Sequence, residues 1–139
     1  MNARLQMVIL VAFLVIPTIA VASGGRFAVA GLKDTDVHAF FEQLKAAVIS
    51  HDVEKIASMA SYPFVLNGKA SVPNRAAFIS HYRQIFTPEV IEAVEQQSYD
   101  KLWSNWQGVM IGDGEVWFAG ICPDSSCSSY EIKIISVNN

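Results

Sequence analysis

The sequence predicts an α+β domain in which N-terminal helices pack on one face of a curved antiparallel sheet. Apolar residues first recur at three- and four-residue intervals, which is the pattern of amphipathic helices. After Gln97 the pattern changes to short runs rich in Val, Ile, Trp, Phe and Tyr, which favour strands. Because the helices come first and the long strands follow, rather than alternating with them, the order is typical of α+β folds.

The first 22 residues have the three parts of a secretory signal peptide. Arg4 supplies a positive start, an apolar run follows, and Ala20 and Ala22 are the small residues that a signal peptidase requires. An uncleaved membrane anchor is the alternative, but a spanning helix needs about 20 apolar residues and this run is shorter. We therefore predict a signal peptide over residues 1–22, a single α+β domain over 23–139, and a periplasmic or secreted protein without a stable membrane anchor.

Charge and length limit what the exported domain can do. Loss of Arg4 with the leader takes the formal net charge from −3 to −4, and the remaining chain has no basic run. Such a balance argues against nucleic acid or an anionic membrane surface as a partner. The remaining length suffices for one buried core and is too short for two.

The helical half begins after a loose lead-in, which we expect over residues 23–33. The first helix is predicted to begin at Asp34, with an acid or Thr35 as its cap, and to end near His51. Asp52 caps a second helix, which we expect to continue to Tyr62, where the following proline forces extended backbone. The inward-facing residues predicted for these helices are Val37, Phe40, Phe41, Leu44, Val48, Val53, Ile56, Ala57 and Ala60.

Turn and cap residues mark the next elements. Asn67 and Gly68 lie between two short apolar runs and predict a tight hairpin. Asn74 predicts the cap of a third helix, and Thr87 followed by Pro88 predicts the start of another. The residues expected to face inward from these helices are Phe78, Tyr82, Ile85, Phe86, Val90, Ile91 and Val94.

Three longer strands are predicted over residues 107–111, 115–121 and 130–137, with Asp113 and Gly114 as the turn between the first two. The side chains expected inside the sheet are Val109, Ile111, Trp117 and Ile134.

Residues 34–137 resemble the nuclear-transport-factor-two-like superfamily, whose cone-shaped α+β fold is also called cystatin-like. The resembling positions are Phe40 to Val48, Asp52, Ile56, Ala57, Tyr62, Pro63, Phe64, Phe78, Tyr82, Ile85 and Phe86. The superfamily includes isomerases, dehydratases, carriers and binding modules, so the resemblance implies a fold and not one activity. The catalytic tyrosine and aspartate of its ketosteroid isomerases correspond to Leu44 and to Asn67 or Gly68, and neither position matches.

Cys122 and Cys127 predict a structural disulfide. In an oxidising compartment two nearby cysteines usually pair, and closing so short a loop is worth about 2 kcal/mol in the chain-entropy model. A redox or metal-binding role is the alternative for this pair. No histidine is near it in sequence, and we predict neither a metal site nor a cofactor.

Candidate catalytic residues are few. His81 could reach the edge of a cavity and act as a general base with Tyr82 or Asp100, although a hydrogen-bonded histidine at the boundary of the core is the simpler interpretation. His38 is expected on the surface, and His51 suits a helix C-terminus.

The aromatic residues are the stronger candidates for binding. Tyr82, Trp103 and Trp117 are the predicted ligand contacts, and Trp106 lies among them, although filling of the cone would also explain these rings. Two functions follow. The first is an exported binding protein of the bacterial envelope, whose ligand is another protein or a small apolar molecule, with a homodimer left open. The alternative is a cofactor-independent isomerase or lyase acting on a small apolar substrate in the cone.

Overall fold

The computed structural model describes residues 24–139, so the predicted signal peptide lies outside the described residues. The helices are α1 (Asp34–Ile49), α2 (Val53–Met59), α3 (Arg75–Ser80), α4 (Tyr82–Ile85) and α5 (Pro88–Gln96). The strands are β1 (Ala60–Leu66), β2 (Lys69–Val72), β3 (Trp103–Asn105), β4 (Gly108–Ile111), β5 (Val116–Ile121) and β6 (Glu131–Val137). Two short 3₁₀ turns cover Ala28–Ala30 and Tyr99–Lys101.

The strands form one curved, unclosed sheet with the order β2-β1-β6-β5-β4-β3, and the helices lie against it. The α+β fold class predicted from the sequence is confirmed. The sheet is mixed rather than wholly antiparallel, because β1 runs parallel to β6 while the other neighbours are antiparallel. The parallel pair joins strands that are far apart in the chain, where no tight turn dictates the direction.

Side-chain caps begin three of the helices as the sequence predicts. The side chains of Asp52, Asn74 and Thr87 accept hydrogen bonds from backbone N–H groups in the first turns of α2, α3 and α5. The first helix is different, because its cap position is Lys33 and no side chain bonds there. The prediction of an acidic cap for α1 is therefore wrong.

The end of the second helix also differs from the prediction. The helix stops at Met59, and the chain enters β1 at Ala60, before Pro63. A proline can lie inside this strand because Pro63 occupies an irregular stretch: β1 pairs with β6 at Ala60 and not again until Val65. No ladder N–H is needed from a residue in such a stretch. The hairpin at Asn67 is confirmed, and it joins β1 to β2.

The lead-in is packed against the domain rather than loose. Phe27 has no exposed surface, and the Asp34 carboxylate accepts hydrogen bonds from the backbone N–H groups of Arg26 and Phe27 at 3.0 and 3.1 Å. The Nη2 of Arg26 donates to the carbonyl oxygens of Tyr99 and Leu102 at 2.9 and 2.8 Å. The sequence gives no sign of this docking, because the partners lie more than seventy residues away.

The concave side of the sheet and the helices enclose a filled apolar core. Six phenylalanine side chains are less than 2 % exposed, namely Phe27, Phe41, Phe64, Phe78, Phe86 and Phe118. Ile111, Val116 and Ile134 close the core from the sheet side. Phe40, predicted to lie inside, is only half-buried and packs its ring against Phe118 at 5.0 Å.

The loop between β5 and β6 contains the predicted disulfide. Cys122 and Cys127 are bonded in the structure, which confirms the pairing. Disulfides of this kind persist in oxidising compartments. Among residues 24–139, no helix combines the length and the apolar composition that a membrane crossing requires.

Candidate functional site

The convex face of the sheet carries a continuous row of side chains that faces away from the core. Residues opposite each other on paired strands share a face, so each pair extends the row to the next strand. We call this set the outer row, and from one edge of the sheet to the other it consists of Trp103, Met110, Trp117, Ser136, Val65 and Ala70.

Trp117 lies on the outer row and not inside the cone, so its predicted place in the core is wrong. Its neighbours Val116 and Phe118 are fully buried, and side chains alternate between the two faces of a strand. The two inward positions are therefore taken by Val116 and Phe118, and the indole of Trp117 is turned outward. Val109, Ile111 and Ile134 do lie in the core as predicted.

Trp103 and Trp117 contact each other at the β3 end of the outer row. Their ring centroids are 6.2 Å apart and their planes are nearly perpendicular, at 89°. This edge-to-face contact is a favourable arrangement for aromatic rings. Trp117 is half-buried beneath it, whereas Trp103 keeps 52 % of its surface exposed. The exposed indole of the pair is therefore that of Trp103, and Trp117 packs against it.

A third tryptophan lies at the tip of the adjacent hairpin. Trp106 and Gln107 form the two-residue connection between β3 and β4, and Trp106 is 79 % exposed. The Asn105 side chain braces the turn, since its Oδ1 accepts from the backbone N–H of Gln107 at 2.8 Å and its Nδ2 donates to Gln107 Oε1 at 3.3 Å. The strand β3 was not predicted from the sequence, because three residues are too few to show a period.

A groove of about 440 Å³ lies beside the outer row at the turn between β4 and β5. Met110 and Trp117 form its apolar wall, and Asp113, Glu115 and Asn138 bring polar groups to it. Glu115 accepts a hydrogen bond from the backbone N–H of Asp113, and Asn138 donates to the Gly114 carbonyl at 2.8 Å. The groove is thus shaped by polar groups that already hold the turn.

His81 is exposed and is held by its own helix. Its Nδ1 lies 2.8 Å from the Ala77 carbonyl oxygen and 3.0 Å from Ser80 Oγ, at the C-terminal cap of α3. These contacts agree with the simpler interpretation, a hydrogen-bonded histidine at the boundary of the core. Asp100 lies in the second 3₁₀ turn, where its carbonyl accepts from Arg26 at 2.9 Å. The cavity that His81 and Tyr82 line is bounded by α2, α3 and α4, and Asp100 is not part of it.

Tyr82 belongs to the aromatic core rather than to the outer row. Its ring is 8 % exposed, stacks on Phe86 with centroids 5.3 Å apart, and tilts against Phe78. Burial raises the pKa of Tyr82 above its ordinary value. Within residues 24–139 the buried hydroxyl of Tyr82 meets no hydrogen-bond partner. Tyr82 and Trp117, both predicted ligand contacts, therefore lie in different parts of the molecule.

We expect Tyr82→Phe to stabilise the domain by about 1 kcal/mol, because a buried unpaired hydroxyl costs about 1–3 kcal/mol. The difference should grow above pH 10. There the unfolded chain loses the Tyr82 proton that the folded protein retains, so the stability of the parent falls while the variant escapes this loss. Urea unfolding followed by circular dichroism at pH 7 and pH 10.5 measures both effects.

Tyr62→Phe is the matched control. The Tyr62 hydroxyl donates to the Ala57 carbonyl oxygen at 2.7 Å, so its removal should destabilise the domain by about 1 kcal/mol. A loss of stability in Tyr82→Phe as large as that in Tyr62→Phe would show that the Tyr82 hydroxyl has a partner, such as an internal water.

A second surface region surrounds Tyr130 at the start of β6. Grooves of about 440 and 580 Å³ meet there and share Tyr130, Glu131 and Lys133. The polar groups are largely engaged with each other: the Tyr130 hydroxyl donates to Asp36 at 2.6 Å, and Lys133 bonds Glu131 at 2.8 Å. Burial, and then the bond to the Asp36 carboxylate, raises the pKa of Tyr130.

The exposed tryptophans Trp103 and Trp106, with Trp117 beside Trp103, are the residues that the structure singles out. Only the outward placement of Trp117 had a signal in the sequence, which was the two-residue alternation of β5. In the part of the chain that the structure describes, no group of three His, Cys, Asp or Glu side chains is placed to hold a metal ion. Compared with known proteins, the chain matches no family model, no curated protein and no solved structure.

Proposed function

We propose that this chain is an exported binding protein of the bacterial envelope, which captures its ligand on the outer row rather than inside the cone. The observation that carries the proposal is the Trp103 indole, more than half exposed and supported edge-on by Trp117. Large aromatic side chains held at a surface are enriched where proteins make contacts. Contiguous exposed apolar surface marks contact sites more often than single exposed residues do, and here Trp103, Met110 and Trp117 are neighbours on one face.

Three features support the location and the class. The leader-like residues 1–22 predict export, and the Cys122–Cys127 disulfide suits an oxidising compartment. The resemblance of residues 34–137 to the nuclear-transport-factor-two-like superfamily agrees with a helix-on-sheet fold that hosts binding modules, and we propose membership on that basis. The alternative isomerase or lyase would use His81 with Tyr82 or Asp100. Asp100 is not part of the cavity that His81 lines, and in the described part of the chain the Tyr82 hydroxyl is buried without a hydrogen bond to His81, so neither pair is assembled for acid–base work.

A site on the outer row, rather than inside the cone, restricts the class of ligand. A small apolar molecule would need an enclosed apolar cavity, and the space beneath the sheet is filled by phenylalanine and aliphatic side chains. An open sheet face instead suits an extended ligand that lies across several strands. The proposed ligand is therefore a macromolecule of the envelope, bound in contact with Trp103 and Trp117.

Capture from envelope extract tests this function. The protein, expressed with its leader and purified, is immobilised beside two variants, and the retained protein and carbohydrate are both quantified. We expect Trp103→Ala to reduce the captured component at least tenfold, because it removes the exposed indole and leaves the core untouched. Ile49→Ala is the control, since this residue is 54 % exposed at the end of α1, away from the sheet face. Equal capture by Trp103→Ala and the parent would refute binding at the outer row.

A further inference from the structure

We propose that the partner captured on the outer row is a basic, extended segment of another polypeptide. Its arginine side chains lie along Trp103, Met110 and Trp117 and bond the carboxylates at the turn between β4 and β5. This inference rests on the proposed function and names the chemical class of the partner for the same site.

Acidic side chains are concentrated beside one end of the outer row. The groove that Met110 and Trp117 line is also lined by Asp113 and Glu115. A second groove, of about 450 Å³, meets the first at these two acids and continues to α5. We call the four acidic residues of the two grooves the acidic rim, and they are Glu89, Glu92, Asp113 and Glu115.

The acidic rim holds most of the net charge of the domain. Lys101 is the only basic residue among the described residues that line the two grooves. With four carboxylates and this one lysine, the lining has a formal charge of −3, whereas residues 23–139 together have −4. The rest of the domain is therefore close to neutral, and a cationic partner is attracted to this end of the sheet.

The carboxylates of the acidic rim are not paired within the domain. Among the ion pairs of residues 24–139, none includes a member of the rim. Glu92 accepts a hydrogen bond from the neutral side chain of Gln96, and Glu115 accepts one from the backbone N–H of Asp113. These bonds orient the carboxylates and leave their charge uncompensated.

An apolar wall beside unpaired carboxylates matches the side chain of arginine or lysine. Such a side chain lays its hydrocarbon stem along apolar surface and keeps its charged head among polar groups. Met110 and Trp117 supply the apolar surface here, and Asp113 and Glu115 supply the acceptors in the same groove. Hydrogen bonds between a charged donor and a carboxylate are stronger than those between neutral groups.

Trp103 extends this match and favours arginine over lysine. Its indole is 52 % exposed and packs edge-on against Trp117. The face of an indole attracts a cation, and the planar guanidinium of arginine also stacks on an aromatic ring. Trp103 is paired with Met110, which is paired in turn with Trp117, so a segment that crosses these strands contacts all three side chains.

The same charge disfavours other occupants of this face. Nucleic acid, anionic lipid and acidic polysaccharide would all meet like charge at the acidic rim. A neutral glycan has no charge to pair with the carboxylates. A second copy of the domain is itself acidic and has no basic run, so it brings no matching segment.

A peptide titration tests this class of partner. The probe is a synthetic decapeptide in which arginine alternates with threonine, added to the full protein expressed with its leader and carrying Trp106→Phe. Since the chain has three tryptophans, this background leaves Trp103 and Trp117 as the emitting indoles. We expect a saturable blue shift of the emission, because the peptide removes Trp103 from water. Affinity should fall at least about tenfold between about 0.02 M and 0.5 M salt, because salt screens exposed charges.

Two variants separate attraction to the acidic rim from the effect of net charge. Glu92→Gln removes a carboxylate of the rim, whereas Glu42→Gln removes one from α1 that lines neither groove. Both change the net charge equally. We expect Glu92→Gln to weaken binding about threefold, the scale of one exposed ion pair, and Glu42→Gln to bind as the parent does. Neither should change the melting temperature, since both side chains are exposed.

Changes to the probe complete the test. Lysine in place of arginine should weaken binding, and citrulline, which is uncharged and nearly the same shape as arginine, should abolish the shift. The proposal falls if the arginine peptide leaves the emission unchanged, if the citrulline peptide binds as tightly, or if Glu42→Gln loses as much affinity as Glu92→Gln. It also falls if the emission shifts with protein concentration alone, which would mean that a second copy covers the outer row. A failure with the peptides, together with loss of the captured envelope component by Trp103→Ala, would leave the proposed function standing.

Discussion

Phe78→Ala should destabilise the domain by about 4 kcal/mol, within the range of about 3–5 kcal/mol seen when a buried phenylalanine becomes alanine. The Phe78 ring has no exposed surface and lies at the centre of an aromatic cluster. It meets Phe64 edge-on at 5.1 Å and approaches Tyr62 and Phe86 at 6.1 and 6.2 Å. Removing it leaves a cavity between α3 and β1 that these rings cannot close together.

Such a loss is a large part of the stability of an ordinary domain, about 5–15 kcal/mol in total. Urea unfolding followed by far-ultraviolet circular dichroism measures it from the shift of the midpoint. Phe40→Ala is the control, because this ring is only half-buried and makes one aromatic contact, with Phe118. Phe78→Ala should be at least twice as destabilising as Phe40→Ala, and equal effects would contradict the central place given to Phe78.

Phe27→Ala should also cost about 3–5 kcal/mol, because Phe27 is fully buried although it precedes every helix and strand of the sheet domain. The ring lies 5.8 Å from that of Tyr99, and the backbone around it is bonded to Asp34. Arg26 and Phe27 are therefore part of the fold. Removing the ring should loosen the contact between the lead-in and the second 3₁₀ turn.

Val29→Ala is the matched control for this segment, since Val29 is two residues away and 58 % exposed. Its effect on the unfolding midpoint should be within experimental error, as is usual for an exposed site. A midpoint in Phe27→Ala that matches that of Val29→Ala would mean that the lead-in does not pack in solution.

Much of the helical half could be predicted from local signals. Asp52, Asn74 and Thr87 are good cap residues, and each one caps a helix, because capping depends only on residues three positions apart. The Asn67 turn was equally local. The docking of Arg26 could not be predicted, since its carbonyl partners lie far along the chain and are brought near only by the fold.

The candidate site was predicted in part. Trp103 and Trp117 were named from their residue type, and the structure brings them into contact. The predicted face of Trp117 is wrong, because its composition, an indole between Val116 and Phe118, favours a core, whereas the alternation along β5 places it outward. Tyr82 was assigned to the same site, and only the packing of α4 shows that it belongs to the core.

The parallel pairing of β1 with β6 has a consequence for the order in which the domain forms. The strand β6 follows every other strand in the chain, yet it lies between β1 and β5 and joins the two halves of the sheet. The strands of each half can pair with one another locally, but the two halves can be joined into one sheet only after β6 has been synthesised. The last step of sheet formation therefore depends on contacts that are distant in sequence, which form slowly.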